Sequence, residues 1–488
     1  MTKIIYTSDV HGYLFPTDYL DRNIKKKGYI SFIDQINSYR DENTILLDAG
    51  DILQGSSLAY YLEKENYPEL MADILNEFKI DYYTLGNHDF NYGYAYLKKF
   101  VDRRNSTLIC ANVKDKNKEI KTSDYIIKKL NNSKTLGIIG VVTDWIKLWE
   151  RKENIENFII TKPLDAISDN FKYIKDCDYK ICLYHGGYDI DLETLEKNTK
   201  TDENVGGEIL KNFNFDLLLT GHQHMPFEGK KIYNTYTSQA PANGEGFVLL
   251  DLDSKSSKII KGQKINTNIY NKYKYIDDKV QDFLDNKLCK LKRPYPDEDK
   301  IQRAKHGSIL ADFFNKIIID YSKADISITS FANEISGLSE NVSIREILNT
   351  YRFPNTLIVL EISAKKLKKA LEQNFTYLEN ENTINKNFLI PKEEHYNFDF
   401  FYGIDFDVDF TKDFYERISN ITFKGKPVKD EDKFKIVMNN YRATGAGNFD
   451  MYKDLKVVKS FDKEISEILI DAFRSGRASE LEKKIYLL

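Results

Sequence analysis

The sequence predicts an α/β protein: an α/β sandwich in the first half of the chain, followed by a smaller α+β region. Up to about residue 253, apolar runs of strand length alternate with amphipathic stretches such as YISFIDQINSYR and PELMADILNEF. This alternation is typical of buried strands whose sheet faces are covered by helices. The strand-like runs are KIIYTSD, TILLDAGD, DYYTLGNHD, TLGIIGVV, KICLYHGG and FDLLLTGHQH.

The rest of the chain differs in composition and pattern. Residues 254–300 are charged and polar and contain the helical pattern IDDKVQDFLDNKLCKL, followed by two prolines in KRPYPDED. Because proline ends helices, we interpret 254–300 as a linker with a connecting helix, an ordinary helix on the outside of the first domain being the alternative. From 301 to 488, helical patterns (SILADFFNKIIIDYSK, SAKKLKKALEQNF) mix with strand-like runs (NTLIVLEI, FYGIDFDVDF, KFKIVMNNY). We therefore predict domains at 1–253 and 301–488.

Composition argues against several classes of partner. The 71 basic and 75 acidic residues nearly balance, and no basic block is present, so a nucleic acid polymer is not expected. The first residues, MTKIIYTSDVHGY, lack the apolar region of a signal peptide, and no apolar run is long enough to span a bilayer. We expect a cytoplasmic protein with no membrane association, a secreted form trimmed of its signal being the alternative. No pattern indicates an oligomeric state.

Metal-ligand residues follow the predicted strands of the first half, and five of the seven histidines stand there. Sites in open α/β sheets form outside the carboxyl ends of strands, so we expect one site. Nitrogen and oxygen donors without thiolate suit Mn, Fe, Co or Zn, and two such ions about 3.5–4 Å apart form the clamp used in phosphoester displacement. The residues are Asp9, His11, Asp48, Asp51, Asn87, His88, Asp89, His185, His222 and His224.

The motifs that carry these residues resemble those of a known family. D-x-H, G-D, G-N-H-D, H-G-G and G-H-x-H, in this order, resemble the calcineurin-like metallophosphoesterases. With its second half, the whole chain resembles the two-domain 5′-nucleotidase family, which includes the 2′,3′-cyclic-nucleotide 2′-phosphodiesterase/3′-nucleotidases. The resemblance implies a four-layer α/β/β/α sandwich followed by a smaller α+β substrate-binding domain. It also implies two divalent metal ions and hydrolysis of a small nucleotide.

The resemblance further implies a role for each strand-end residue. Asp51 would bridge the metals, Asp48 would support the site, and Asp89 would be structural. His88 would be the catalytic histidine, which stabilises charge or protonates the leaving oxygen. The ligands of one metal would be Asp9, His11 and His224, and those of the other Asn87, His185 and His222.

One residue beside the catalytic histidine departs from the family pattern. Many 5′-nucleotidases carry Asp at the position of Asn91, where it orients the histidine and holds its charge. The amide of Asn91 can still orient the ring of His88, but it stabilises the imidazolium less. We therefore assign Asn91 to the catalytic pair, with the acid role of His88 open. Asn at this position also resembles the cyclic-phosphodiesterase branch.

Two stretches of the second half suggest a substrate site. TYRFPNTLIVLEISAKKLKKALEQN predicts a turn, a strand and a helix, and VMNNYRATGAGNFDMY a strand ending in a Gly-rich loop with Tyr441 at its lip. From the residues alone, ordinary turns with core aromatics are the alternative. The resemblance implies that Phe353 and Tyr441 sandwich the nucleobase and that Asn355 contacts it. Gly445, which opens the GAGNF segment, is assigned to substrate binding on the same basis.

Two departures in the second half bear on the substrate. GAGNF stands where 5′-nucleotidases have G-G-D-G-Y, so Gly447 replaces a ribose-binding Asp, and SFANEISG lacks the family's substrate-binding Arg. Both favour hydrolysis of 2′,3′-cyclic nucleotides or 3′-nucleotides. A 5′-nucleotidase and a phosphatase for another small phosphoester are the alternatives. A nucleotide-binding sensor without turnover is the non-enzyme alternative, and the complete ligand set argues against it.

Overall fold

In the computed structural model, which describes residues 2–197, 202–262, 267–353, 355–390 and 392–485, the chain divides into two units. The first is Met1–Gln281 and the second is Asp282–Leu488. The division therefore falls within the stretch 254–300 that we interpreted as a linker. Among the described residues, no helix is both long and apolar enough to cross a membrane.

The first unit consists of two six-stranded sheets, one two-stranded sheet and the helices around them. Its strands are β1 (Lys3–Thr7), β2 (Thr44–Asp48), β3 (Tyr82–Tyr83), β4 (Thr107–Leu108), β5 (Val113–Asp115), β6 (Tyr125–Lys129), β7 (Thr135–Val142), β8 (Phe158–Ile160), β9 (Tyr179–His185), β10 (Leu217–Thr220), β11 (Phe227–Ile232), β12 (Thr235–Gln239), β13 (Gly246–Asp251) and β14 (Ser256–Lys261). Its helices are α1 (Ile33–Tyr39), α2 (Ser57–Lys64), α3 (Glu69–Asn76), α4 (Gly93–Arg103), α5 (Ile146–Trp149), α6 (Lys152–Ile155), α7 (Pro163–Ile174) and α8 (Gly206–Asn212), and α9 (Thr267–Leu284) begins in this unit and ends three residues into the second.

The two sheets pack face to face. Their strand orders are β14-β13-β1-β2-β3-β4 and β11-β12-β10-β9-β7-β6, and β1–β4 run parallel, as do β7, β9, β10 and β12. The apolar core between them joins Ile4 and Tyr6 of one sheet to Ile181 and Leu219 of the other. Strand β2, TILLD, is buried along its whole length, as expected for a parallel strand covered on both faces.

Helices cover the outer face of each sheet. On one side, residues of α7 and α8 pack against the outward-facing side chains of β7, β9 and β10. On the other side, the ring of Phe100 in α4 contacts Tyr83, and Phe32, just before α1, contacts Phe247. The prediction of a four-layer α/β/β/α sandwich is therefore confirmed.

The second unit is a smaller α+β fold, as predicted. Its main sheet has the order β21-β16-β25-β18-β26, and α11 packs on β16 and β21. The strands are β15 (Lys287–Lys290), β16 (Ile326–Thr329), β17 (Asn341–Ser343), β18 (Thr356–Ser363), β19 (Leu378–Asn380), β20 (Thr383–Ile384), β21 (Phe400–Tyr402), β22 (Asp405–Val408), β23 (Ile418–Phe423), β24 (Lys426–Pro427), β25 (Lys433–Asn439) and β26 (Lys456–Glu464). The helices are α10 (Lys300–His306), α11 (Ile309–Ser322), α12 (Ile344–Thr350), α13 (Ala364–Asn374), α14 (Asn440–Ala443), α15 (Ile465–Arg474) and α16 (Arg477–Ile485).

Two element predictions differ from the structure. The helical pattern IDDKVQDFLDNKLCKL does not run through as one helix, because α9 ends at Leu284 and Lys287–Lys290 form β15, which pairs with β17. The strand-like run FYGIDFDVDF is split between β21 and β22. Gly403 separates them with φ +90°, a left-handed conformation that interrupts an extended strand.

Candidate active site

The predicted metal ligands of the first unit lie at the carboxyl ends of five parallel strands. Asp9 and His11 follow β1, Asp51 follows β2, and Asn87 and His88 form a 3₁₀ turn after β3. His185 is the last residue of β9, and His222 and His224 follow β10. The edges of both sheets therefore contribute to one site.

Five of these residues have left-handed backbone conformations. Asp9, His11, Asp51, His222 and His224 have φ between +50° and +71°. Such conformations are uncommon outside glycine, cost about 1–3 kcal/mol each, and concentrate at functional sites. The surrounding structure must therefore hold these loops in place.

Two glycines of the motifs are required by close approach to the carboxylates. A Cβ atom on Gly86 would lie 2.1 Å from Asp51 Oδ1, and one on Gly221 would lie 2.7 Å from Asp9 Oδ2. Both distances are far below van der Waals contact. The Gly of G-N-H-D and the Gly of G-H-x-H thus leave room for a carboxylate.

A first group of ligand atoms comes from Asp9, His11 and His224. His224 Nε2 lies 3.3 Å from Asp9 Oδ1 and 3.0 Å from His11 Nε2. Two imidazole nitrogens and a carboxylate oxygen thus converge on one point. Such a donor set fits a divalent ion bound through nitrogen and oxygen.

A second group comes from Asp51, His185 and His222, together with the amide of Asn87. Asn87 Oδ1 lies 3.2 Å from His185 Nε2 and 2.9 Å from His222 Nδ1. Asp51 Oδ2 lies 3.1 Å from His185 Nε2 and 3.8 Å from His11 Nε2, between the two groups. This oxygen is buried, and no well-aligned hydrogen-bond donor reaches it from the part of the chain that the structure describes.

The outward nitrogens of three of these histidines face oxygen acceptors. His11 Nδ1 lies 2.7 Å from the carbonyl of Gln54, and His185 Nδ1 lies 2.6 Å from the carbonyl of Ala49. His222 Nε2 lies 3.0 Å from Glu203 Oε1. An acceptor on one ring nitrogen keeps the proton there and leaves the other nitrogen free for a metal. The residues present therefore fit two metal ions.

Burial and charge shift the ionisation of the site. Burial lowers the pKa of His11 to about 4, so its ring is neutral near pH 7, as a ligand must be. Burial alone would raise the pKa of Asp51, but the charges of protonated His185 and His88 lower it well below its usual range. The carboxylate between the two groups is therefore an anion. Against the effect of burial, Asp51 in turn raises the pKa of His185 to about 10, so a metal ion would displace the proton on Nε2 of that ring.

The two remaining strand-end carboxylates support the loops. Asp89 accepts backbone hydrogen bonds from Gly86, Asp51, Ile52 and Leu53 at 2.7–3.1 Å. Burial, followed by the charge of Asp51, raises the pKa of Asp89 to about 6. Asp48 accepts from the side chains of Thr7 and Tyr29 and from the backbone of Gly50. Both carboxylates therefore fix the backbone that carries Asp51.

His88 lies beside the ligand groups rather than within them. Its backbone N–H donates to Asp51 Oδ1 at 2.7 Å, and its ring centroid lies 5.4 Å from that of His11. Its Nδ1 lies 2.7 Å from Asn91 Oδ1. The side chain is half-buried. The amide of Asn91 therefore orients the ring.

The structure adds three residues that sequence reasoning missed. The ring of Trp149 stacks on His222 with centroids 5.5 Å apart, and Glu203 contacts the outward nitrogen of the same histidine. Glu150 accepts a hydrogen bond from the amide of Asn91. Glu150 and Glu203 lie in connecting segments with no motif, and Trp149 is the last residue of the one-turn helix α5. The sequence offers one signal: its two tryptophans, Trp145 and Trp149, stand four residues apart, as on one face of a helix.

In the second unit, the predicted substrate residues lie at one end of the main sheet. Leu357 pairs with Asn439, so the start of β18 and the end of β25 are neighbours. The backbone N–H of Thr356 donates to Asn440 Oδ1 at 3.1 Å, which ties the turn of Phe353 and Asn355 to the segment of Tyr441.

The surroundings of these residues differ in part from the prediction. Tyr441 lies in the one-turn helix α14, capped by the side chain of Asn439, rather than at the lip of a loop, and it is 36% exposed. Phe353 is half-buried, with its ring centroid 6.3 Å from that of Tyr396. Gly445 has φ +88°, and its N–H donates to the carbonyl of Arg442.

The space beside Gly447 is filled by a buried ion pair. Arg442, 1% exposed, pairs with Asp399 at 2.8 Å, donates to the carbonyl of Ala446, and lies over the ring of Phe449. A Cβ atom on Gly447 would lie 2.3 Å from Arg442 Nη1 and 2.5 Å from Asn397 Oδ1. The segment therefore has no room for the Asp that 5′-nucleotidases carry here.

Comparison with known proteins supports the same assignment. Residues 2–226 match the calcineurin-like phosphoesterase family, and residues 290–454 match the 5′-nucleotidase C-terminal domain. The crystal structure of a putative 5′-nucleotidase from Staphylococcus aureus superposes with a TM-score of 0.88 at 30% identity, covering 98% of both chains.

Curated relatives are more distant in sequence. A 2′,3′-cyclic-nucleotide 2′-phosphodiesterase/3′-nucleotidase of Haemophilus influenzae is 26% identical over 98% of this chain and 85% of its own length. The trifunctional nucleotide phosphoesterase protein YfkN of Bacillus subtilis is 24% identical over 96% of this chain, which spans 37% of that relative. With both domain matches and the Staphylococcus aureus structure, these findings establish that the chain belongs to the two-domain 5′-nucleotidase family.

Proposed function

We propose that this protein is a two-metal nucleotide phosphohydrolase whose substrates are 2′,3′-cyclic nucleotides and 3′-nucleotides. Membership of the family makes it a metal-dependent phosphoester hydrolase. The observation that carries the proposal is the convergence of two groups of ligand atoms with Asp51 Oδ2 between them. A nucleotide-binding sensor has no need for this second, shared group.

The proposed roles follow the geometry of the two groups. One ion would be held by Asp9, His11 and His224, the other by Asn87, His185 and His222, and Asp51 would contact both. When bound, such a pair neutralises phosphoryl oxygens as a Lewis acid and provides a nucleophile at neutral pH. The nitrogen and oxygen donors suit Mn, Fe, Co or Zn.

The protein's own groups would bind the phosphate and handle the proton. With Nδ1–H donated to Asn91, His88 presents Nε2 on the other side of its ring. We assign the acid role to the imidazolium form, which carries protons on both nitrogens: Nε2–H would protonate the leaving oxygen or donate to the phosphoryl oxygens, and loss of that proton would leave the neutral ring with Nδ1–H on Asn91. His88 is half-buried, so its side chain is partly open to solvent.

The choice of branch rests on the second unit. Arg442 and Asn397 leave no room at Gly447 for the ribose-binding Asp of 5′-nucleotidases. The relative from Haemophilus influenzae named as a cyclic-nucleotide phosphodiesterase matches almost the full chain. The 5′-nucleotidase activity is the second candidate, favoured by the name of the Staphylococcus aureus structure.

The proposal is tested with a substrate panel on the purified protein with added Mn²⁺. We expect kcat/KM for 2′,3′-cyclic AMP and 3′-AMP to exceed that for 5′-AMP, with bis-p-nitrophenyl phosphate hydrolysed as well. A clear preference for 5′-AMP would replace the proposed branch with the second candidate. No turnover of any phosphoester with Mn²⁺, Zn²⁺, Co²⁺ or Fe²⁺ would contradict an enzyme altogether.

The aromatic pair of the second unit gives a prediction for substrate binding. Phe353→Ala or Tyr441→Ala should each lower kcat/KM for nucleotides. The expected decrease is equivalent to about 1–3 kcal/mol of binding free energy, the range of base–aromatic stacking. Hydrolysis of bis-p-nitrophenyl phosphate should change little, because it has no nucleobase. Steady-state kinetics on both substrates measure the difference. Equal losses on both would show that the aromatics only support the fold.

The segment around Gly447 gives a prediction about the missing Asp. Gly447→Asp should not increase 5′-AMP hydrolysis, because the new Cβ meets Arg442 and Asn397 at φ +73°. It should also destabilise the protein by about 1–3 kcal/mol, the usual cost of overpacking a filled space. Thermal unfolding and 5′-AMP kinetics check both effects. Gly425→Asp, at φ +72° with open space around it, is the matched control.

A further inference from the structure

We infer that Glu150 is a positioning residue that fixes the side-chain amide of Asn91 and, through it, the tautomer of His88. The inference rests on the proposed function, in which His88 acts on the substrate. Asn91 Nδ2 donates to Glu150 Oε2, and Asn91 Oδ1 faces His88 Nδ1 at 2.7 Å. Ring, amide and carboxylate thus form one chain of hydrogen bonds.

The orientation of an asparagine amide has to be imposed by its partners. The oxygen and the NH₂ group have nearly the same shape, so either can face the ring. If the oxygen faces His88, then Nδ1 carries the proton. If the NH₂ group faces it, Nδ1 must accept instead and the proton moves to Nε2. Without a further contact, Asn91 and His88 can form a hydrogen bond in either amide orientation, each with its own tautomer of the ring.

Glu150 removes this choice because a carboxylate only accepts hydrogen bonds. The group on Asn91 that faces Glu150 must therefore be NH₂, which leaves the oxygen for His88. An aspartate at position 91 has no such requirement, since both of its side-chain oxygens accept. The carboxylate of Glu150 thus has a purpose that arises only because residue 91 is Asn.

The carboxylate is itself held firmly on its other side. Glu150 Oε1 accepts from Asn154 Nδ2 at 2.9 Å and from the backbone N–H of Arg151 at 2.6 Å. Asn154, which is buried, also donates to the carbonyl of Asn91 at 2.7 Å. Both oxygens of Glu150 therefore face donors. A glutamine at this position would turn its NH₂ group towards at least one of them.

A double-mutant cycle on metal-loaded protein tests the inference, with 2′,3′-cyclic AMP as the substrate, because its leaving alkoxide needs a proton. Glu150→Gln should lower kcat by about 10- to 100-fold, the loss expected for a misplaced catalytic group, with unchanged metal content. In the Asn91→Asp background the same change should have no effect or raise kcat, because the carboxylate at 91 accepts from His88 directly and Glu150 repels it. Equal fold-losses in both backgrounds would overturn the inference.

A spectroscopic readout decides the inference independently of turnover. In protein labelled with ¹⁵N-histidine and studied at a pH at which the ring is neutral, His88 should show its proton on Nδ1 in the wild type and a mixture of tautomers in Glu150→Gln. Glu153→Gln, an exposed residue of the same segment, makes the same charge change and should leave the signal unaltered. An unchanged tautomer in Glu150→Gln would contradict the inference. If the wild type fails to hydrolyse the diester, the proposed function fails, and this readout still decides the role of Glu150.

Discussion

Asp51→Asn is expected to lower turnover by more than about 100-fold, beyond the 10- to 100-fold range typical of changes to residues that only support a ligand. The substitution replaces one carboxylate oxygen by an NH₂ group, and we expect that oxygen to be Oδ2. Oδ2 lies between His185 and His11, and among the described residues no well-aligned hydrogen-bond donor reaches it. An amide NH₂ there cannot bind a cation. Metal analysis by mass spectrometry should show a loss of bound ions in parallel with kcat.

The control for this experiment has to separate charge, fold and chemistry. Asn has nearly the same shape as Asp and tolerates the left-handed backbone at φ +57°, so cooperative thermal unfolding should persist. Asp165→Asn removes the same charge from an exposed position of α7 and should change neither kcat nor metal content. Two ions bound per chain and near-normal turnover in Asp51→Asn would rule out the bridging role.

His88→Ala is expected to lower kcat on 3′-AMP or 2′,3′-cyclic AMP by about 10²–10⁴-fold, the range of a positioned acid or base. Metal content should stay at the wild-type value, because His88 belongs to neither group of ligand atoms. If the ring protonates the leaving oxygen, p-nitrophenyl esters should lose less activity, since p-nitrophenolate leaves without a proton. If it stabilises phosphoryl charge, both kinds of substrate should lose alike.

The assignment of His88 depends on comparing the catalytic activity of the variant with its content of bound metal. Both must be measured on the same preparation, by metal analysis and by kinetics in excess Mn²⁺. A loss of bound metal that accounts for the whole decrease would make His88 a ligand or a support for one. A decrease of less than about tenfold on nucleotides would exclude a role in proton transfer.

Much of the first unit could be predicted because its signals are local. Strands such as β2 and β10 are contiguous apolar runs, and each is followed within four residues by a ligand-type side chain in a recognisable motif. The carboxyl ends of parallel strands share an edge, so topology brings Asp9 and Asp51 together on one sheet and His185 and His222 on the other, and the face-to-face packing of the two sheets joins these edges. Fold class and motif, both readable from the sequence, therefore suffice to group these residues in one site.

Other features depend on contacts that no local pattern encodes. Glu150 and Glu203 are single acidic residues in connecting segments, and their partners lie 59 and 19 positions away in the chain. Strand β15 forms because β17 pairs with it, although its own sequence continues a helical pattern. The helix around Tyr441 begins at the cap made by Asn439, in a sequence whose glycines suggested only a loop.

The left-handed backbone of five metal-site residues also limits which sequences this site can accept. A position at φ near +55° tolerates Gly, Asn and Asp, accepts His at a cost, and penalises β-branched residues severely. At such positions one substitution affects both the metal ligand and the loop conformation, because a residue without the ligand atom also has a different conformational energy at positive φ. Alanine scanning therefore mixes two effects here, whereas asparagine or glycine replacements separate the loss of a donor from the loss of a backbone shape. For the same reason, few substitutions would remove a metal ligand from a relative of this protein without also straining the loop that carries it.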